Sequence, residues 1–398
     1  MKRGGRVKEK KIMFHEILRN ECRVFGKPYA MDETVERLYY LEKKGRESEK
    51  EACKLLKESV EKLSHGENTV LYDDAGIPSI MVRIPAMRCK ELLDGNQEDC
   101  FHPAFILGDH IIREIWVSKY LNSIVNGRLT SLPMSIPQRI ETFDEAVERC
   151  RAKGANWLPM PFQLRMAIAL WCRKKGFLPK GNNNYGHDFM HPEEAGILSG
   201  DGLSLTGSGP VEWSHNGRCD GIWDLNGNLN EWDAGFRLMN GEIQFIDMEG
   251  LMMPDGDWSS DSPLWRGLNM KGELLLQGKD TALHYTVPEG GIQLTIGGGG
   301  KRGIGNCAFE KISAGEGIEI SDVIRLLGLF PSTPEYMGNL GWRWVNTEGE
   351  VMPLCGGAYG ALDHAGIFFA GVTKLRKDNY KLAGVRCIYI DPKAIEEG

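Results

Sequence analysis

Asp224 and Glu231 close the two ends of Asp224-Leu225-Asn226-Gly227-Asn228-Leu229-Asn230-Glu231, a glycine-turned run rich in oxygen donors. Hard oxygens crowded by a tight turn suit a calcium ion, which takes about six to eight of them at roughly 2.3 to 2.6 Å. The glycine stands fourth and the closing acid eighth, which excludes an EF-hand. The two acids either hold a metal or cap turns and pair with lysine or arginine. His187 and His191 share a four-residue spacing, but Pro192 and the surrounding glycine and asparagine argue against the helix that would align them on zinc or iron. Cys355 and His364 could form a thiol–imidazole pair, yet their nine-residue separation across a loop carries no signature, and a buried thiol is the better reading. Gly297-Gly298-Gly299-Gly300-Lys301-Arg302-Gly303 lacks the Gly-Lys-Ser/Thr ending of a phosphate loop and reads as a surface loop.

The remaining chemistry lies in the segment from about 354 to 390. Its polar and small positions are assorted: Ala358, Tyr359, Gly360, Ala361, Asp363, His364, Thr373, Lys374, Asp378 and Tyr380. No acid–base pair or metal-ligand spacing emerges from them. Tyrosine and histidine anchors among small residues have the composition of a recognition surface, as in antibody paratopes. The segment reads as strand, exposed loop, strand over Ala365-Gly366-Ile367-Phe368-Phe369, loop, and a closing strand through Val385-Arg386-Cys387-Ile388-Tyr389-Ile390.

The order Gly356-Gly357, Ala365-Gly366-Ile367-Phe368, Arg376, Gly384-Val385-Arg386 resembles the variable region of diversity-generating retroelement target proteins, whose closing motif is Gly-Gly, Ala-Gly-Val-Phe, Ala-Arg, Gly-Phe-Arg. Upstream, Gly221 to Trp232 is similar to the Gly-Asn-x-x-Glu-Trp signature of the same superfamily. The resemblance spans roughly residues 78 to 390 and implies an α+β, C-type lectin fold of the formylglycine-generating-enzyme type. It further implies a non-enzymatic binder with its variable surface between Gly357 and Arg386. Many such proteins are bacteriophage tail adhesins, so the implied partner is a host cell-surface protein or glycan receptor, and the implied location is the virion tail. The superfamily's calcium pattern carries over as a side-chain ligand at Asp224, carbonyls at Gly227 and Leu229, and the carboxylate of Glu231. The related enzymes use a cysteine pair just after the Gly-Gly strand, where this chain has Ala361 and Gly366. The alternatives are an enzyme of that sulfatase-modifying type, which the missing pair disfavours, and a bacterial surface binder.

Three kinds of element would position this surface. Residues 1 to 66 are charge-dense and helical, separable from a domain over 67 to 398. Ser48 and Glu51 form a capping box ahead of Ala52, Leu56, Val60 and Leu63 at helical spacing, and Val35, Leu38 and Leu41 make a second stripe. This segment either packs on the main domain or docks to other proteins, such as further tail components. Strands follow, marked by Val82, Ile84, Ile111, Ile112, Ile115, Trp116 and Val117, with turns at Asp94-Gly95 and Asn126-Gly127. Thr142 with Glu145 then caps one helix, and Pro161 starts another that ends near Gly176. Residues 177 to 220 are turn-rich and read as a long ordered loop or lid. Trp213, Trp223, Trp232, Trp258, Trp265, Trp342 and Trp344 are read as core packing before any sugar platform.

Composition narrows the rest. With a net charge of −7, no polyanion-seeking field and no nucleic-acid partner are expected. Glycine at 49 of 398 residues favours a loop-rich fold over a bundle. The start is basic (Lys2, Arg3, Arg6, Lys8, Lys10, Lys11) without the apolar run of a signal peptide, which gives the expectation of a soluble protein made in the cytoplasm with no membrane insertion. The ten scattered cysteines are expected to be reduced thiols.

Overall fold

The computed structural model describes residues 12–45, 48–95, 99–332 and 340–397, so the basic start lies outside the described residues. The chain is α+β. Helices α1 (Phe14–Val24), α2 (Asp32–Lys44) and α3 (Glu49–Leu63) form first. Each buries one stripe at helical spacing: Phe14, Ile17, Leu18 and Cys22; Val35, Leu38 and Leu41; Ala52, Leu56, Val60 and Leu63. The Ser48 side chain makes no capping bond, so the expected box is absent. Glu49 and Glu51 in the first turn of α3 still favour its positive end.

The hydrophobic core does not divide at residue 66. The three stripes share one cluster with Val70, Ile80, Tyr120, Trp213 and Trp223 of the β-rich part. A buried polar group reinforces the junction, because the Lys119 ammonium pairs with Glu21 of α1 and donates to Asn68 Oδ1 at 3.0 Å, while Tyr120 Oη donates to Glu21 at 2.7 Å. Residues 12–45 and 48–66 thus pack on the main domain, the first of the two readings given for this segment.

A five-stranded antiparallel sheet comes next, in the order Asn68–Tyr72, Pro78–Pro85, Glu114–Ser118, Cys387–Tyr389, Trp157–Pro159. Asn126 and Gly127, both at positive φ (51° and 80°), form a two-residue turn between the short strands Ser123–Val125 and Arg128–Thr130. Helix α4 (Phe143–Arg151) starts where Thr142 Oγ1 accepts from the Glu145 amide, and packs beside Trp157–Pro159. Helix α5 (Phe162–Lys174) follows Pro161 and stops before Gly176 at φ 69°. Nearly all its side chains are buried, as for a helix enclosed on every side.

The larger sheet carries the C-terminal segment. Trp342–Asn346 runs parallel to Ala370–Leu375, which pairs antiparallel with Glu350–Cys355. Glu350–Cys355 also pairs with Phe236–Met239 and with Asn230–Trp232, and the last of these lies parallel to Ala383–Gly384. Ala365–Phe369 is not the expected strand. It is a buried turn whose Gly366 passes so close to Gly341 and Leu340 that a Cβ would lie 2.6 Å from their backbone atoms. The strand starts at Ala370 instead, which puts Thr373 and Lys374 on it and not in a loop.

The cysteine reading needs one correction. Cys89 and Cys100 form a disulfide with Cα atoms 5.6 Å apart. A bridge between Arg88 and Phe101 and the bond from Cys89 N to Cys100 O fold the intervening loop back on itself, a contact that spacing alone does not reveal. The other eight cysteines are free. No helix among the described residues is long and apolar enough to cross a membrane.

Candidate recognition cleft and its ionic support

The Asn230–Trp232 strand alternates its side chains, so Asn230 and Glu231 face opposite ways. Glu231 is fully buried between two guanidinium groups. Arg386 donates from Nε to Oε2 at 2.9 Å and from Nη2 to Oε1 at 3.0 Å, and Arg165 donates to Oε2 at 2.8 Å. Arg386 also donates to the carbonyls of Ser118 and Trp223, both at 2.8 Å, and Arg165 continues to Asp233. Burial alone would raise the Glu231 carboxyl; Arg165 and Arg386 outweigh it and hold that group below the usual range.

This arrangement does not fit the calcium set of Asp224, Gly227, Leu229 and Glu231. The carboxylate expected to supply the metal's charge is already neutralised by two arginines. Asp224 is nearly buried too, and burial pushes its carboxyl up to about 6. For Glu231, arginine pairing is the reading the geometry supports.

On the opposite side, Ala358, Tyr359, Gly360, Ala361, His364, Thr373, Lys374 and Tyr380 line one cleft of about 410 Å³. Asp363 and Asp378 do not line it. Asp363 is exposed, with its carboxylate 3.9 Å from His364, and Asp378 accepts from the Leu375 amide at 3.0 Å to close a turn. Paired glycines shape the entry: Gly357, at φ 86°, would carry a Cβ only 2.7 Å from that of Ala365, so no larger residue fits there.

Residues outside the expected segment complete the walls, among them Tyr185, Asn230 and Trp344. Tyr185 comes from the long loop, where its amide donates to the Tyr359 carbonyl at 2.7 Å and the two rings meet edge to face at 5.5 Å. The loop is held by the buried Asn182 and Asn183: Asn182 O accepts from Asn228 N at 2.6 Å, and Asn183 O from Leu362 N at 2.9 Å. His364 packs against Trp342 at 4.3 Å and Trp344 at 5.8 Å between ring centres. The Lys374 ammonium sits 4.9 Å from the centre of the Tyr380 ring. Five of the seven tryptophans singled out, Trp213, Trp223, Trp232, Trp258 and Trp265, are buried in the core, whereas Trp342 and Trp344 are half-buried beside His364.

The chemistry available is that of contact. Among the described residues no carboxylate lines the cleft, and Lys374 brings a positive charge to it. Cys355 is buried under the glycine turn, where burial first and then the neighbouring Asp233 push its thiol well above the usual range, so it is no activated nucleophile toward His364. His187 Nδ1 pairs with the Pro192 carbonyl at 2.8 Å, separate from any partner at His191. His191, Glu193 and Glu194 lie close enough to share an ion, but Glu194 already holds Lys180 and the Trp213 indole N–H.

No family model matches the sequence, and no curated protein is similar to it. Among solved structures, Treponema denticola variable protein 1 is similar at 11% identity over 81% of this chain and 99% of that one, with a TM-score of 0.32, too loose a likeness to carry the fold.

Proposed function

We propose that the protein is a non-enzymatic binder that displays the cleft as a recognition surface on a C-type lectin scaffold of the formylglycine-generating-enzyme type, in the manner of retroelement variable proteins. One observation carries this reading: side chains without periodic or catalytic logic in the 354–390 segment converge on a single aromatic-walled cleft, while its glycines and Arg386 are engaged in the scaffold. The setting that suits such a surface is a bacteriophage tail, with a host cell-surface receptor as the target. The helices α1 to α3 would then join the binder to other tail proteins, and they leave Tyr29 and Tyr40 exposed for that purpose.

Adhesion of the purified protein to a panel of bacterial cells tests the proposal. Tyr359→Ala should weaken adhesion by about 2 kcal/mol, roughly thirtyfold, if the ring is an anchor. Unchanged adhesion in Tyr359→Ala and His364→Ala, with loss on substitution in residues 186 to 200, would put recognition on other loops.

A further inference from the structure

Cys150 and Cys387 stand 237 residues apart in sequence, and the fold sets one against the other. Cys150 lies in the last turn of α4, which packs beside Trp157–Pro159. Cys387 begins the strand Cys387–Tyr389 and pairs with Pro159 of that same neighbour. Both side chains are fully buried, and their sulfur atoms are 2.9 Å apart. Two sulfurs that are not bonded rest farther apart than this, so the pair is poised between contact and a bond of about 2.05 Å. Neither thiol has another hydrogen-bond partner among the described residues, whereas the equally buried Cys172 donates to the His215 carbonyl at 3.1 Å.

We propose that Cys150 and Cys387 form a second disulfide, which fastens the strand that completes the five-stranded sheet to α4. The oxidant is another disulfide, of a small molecule or a protein. One thiolate of the pair attacks a sulfur of that disulfide and expels a thiolate, and the second attacks the mixed disulfide and expels the other. Two sulfurs of this chain are oxidised, the two of the oxidant are reduced, and the two protons released end on the expelled thiols. The exchange belongs to the stage before the strand docks. In the finished sheet burial pushes the Cys150 thiol well above its usual range, against the opposing pull of the buried Lys153 ammonium, so little thiolate forms there and no oxidant reaches it. The chain already holds one disulfide, but Cys89–Cys100 closes a local loop over a separation of 11 residues. A bond spanning 237 residues removes more freedom from the unfolded chain. It also fixes the neighbour of Arg386, whose guanidinium holds Glu231.

Thiol mapping of the full chain tests this. The protein is reduced, held with oxidised glutathione in urea just below its unfolding midpoint so that the strand opens, returned to buffer, then unfolded in iodoacetamide and digested without reductant. With Cys89–Cys100 closed again as the internal control, the peptides bearing Cys150 and Cys387 should be recovered joined. The difference in melting temperature between oxidised and reduced protein should be about 2 to 5 °C larger in the wild type than in Cys150→Ala, where Cys387 should be found alkylated. Recovery of Cys150 and Cys387 each alkylated, or each capped by glutathione, while Cys89–Cys100 is closed would overturn the bond. A joined pair with equal melting differences in wild type and variant would overturn its role as a fastening.

Discussion

Asn230 and Glu231 are neighbours on one strand and lead opposite lives. Glu231 is buried with every oxygen engaged by Arg165 or Arg386, whereas Asn230 is nearly as buried and meets the cleft residues Tyr380 and Leu382 only through Nδ2, at 3.3 Å each. A buried group that loses its partner is costly, so saturation marks what the scaffold cannot lose. Two short charged pairings hold the one side, and two long neutral contacts meet the other.

The hardest test of that contrast is to unpair the supporting side. Arg386→Met would leave Glu231 with one arginine and strip the Ser118 and Trp223 carbonyls of their donor. Chemical denaturation should show a loss of about 3 to 5 kcal/mol. A loss under about 1 kcal/mol would mean that Arg165 alone suffices.

Acidification probes the same support through two buried histidines. His102 Nδ1 accepts from the Ala104 amide and its Nε2 donates to the Leu326 carbonyl, while His215 Nδ1 accepts from the Ile222 amide. Burial lowers both from 6.5 to about 4. The unfolded chain then takes up these protons first, so their contribution is whole above about pH 6.5 and is lost as pH falls toward 4, roughly 3 kcal/mol for each. Asp224 works in the opposite sense. Its folded value near 6 lies above 3.8, so its contribution is present at low pH and lost as pH rises through that window. Melting temperatures between pH 4 and 7 should therefore vary less steeply in His215→Gln and more steeply in Asp224→Asn. Parallel curves for wild type and both variants would remove these groups from the pH response.

The recognition side should behave in the contrary way. Tyr359→Ala removes a part-buried ring that meets Tyr185 and packs on the small cluster of Leu121, Leu203 and Leu229, so stability should fall by about 1 kcal/mol while binding falls further. A larger loss in thermal melts would make Tyr359 part of the scaffold and blur the contrast.

What the sequence disclosed follows the same division. Eight cleft residues were legible because they sit in one short run, between glycines, with no periodicity to explain them. Thr142 and Pro161 announced their helices through local chemistry, which needs no distant partner. Glu231 stayed open between metal and arginine because its partners lie 66 and 155 residues away, and a carboxylate beside a turn looks alike whether a metal or an arginine neutralises it. Tyr185 went unseen for a related reason: only the buried Asn182 and Asn183 bring its loop to Tyr359. Asn230 was hidden inside the run read for calcium, and the one usable signal was its strand alternation with Glu231.

Cys387–Tyr389 lies inside its sheet, between Glu114–Ser118 and Trp157–Pro159, and not at an edge. On the ribosome both neighbours emerge long before it, and they must wait unjoined with exposed backbone until it arrives. Arg386, which unites Glu231 with that sheet, is translated only just ahead of it. Most residues that line the cleft, from Leu354 to Leu382, are thus synthesised between the body of the protein and the strand that completes its sheet. A chain whose 354–382 segment kept that strand from its slot would leave Glu114–Ser118 and Trp157–Pro159 unbridged, so changes in this segment are constrained by folding as well as by what the cleft contacts.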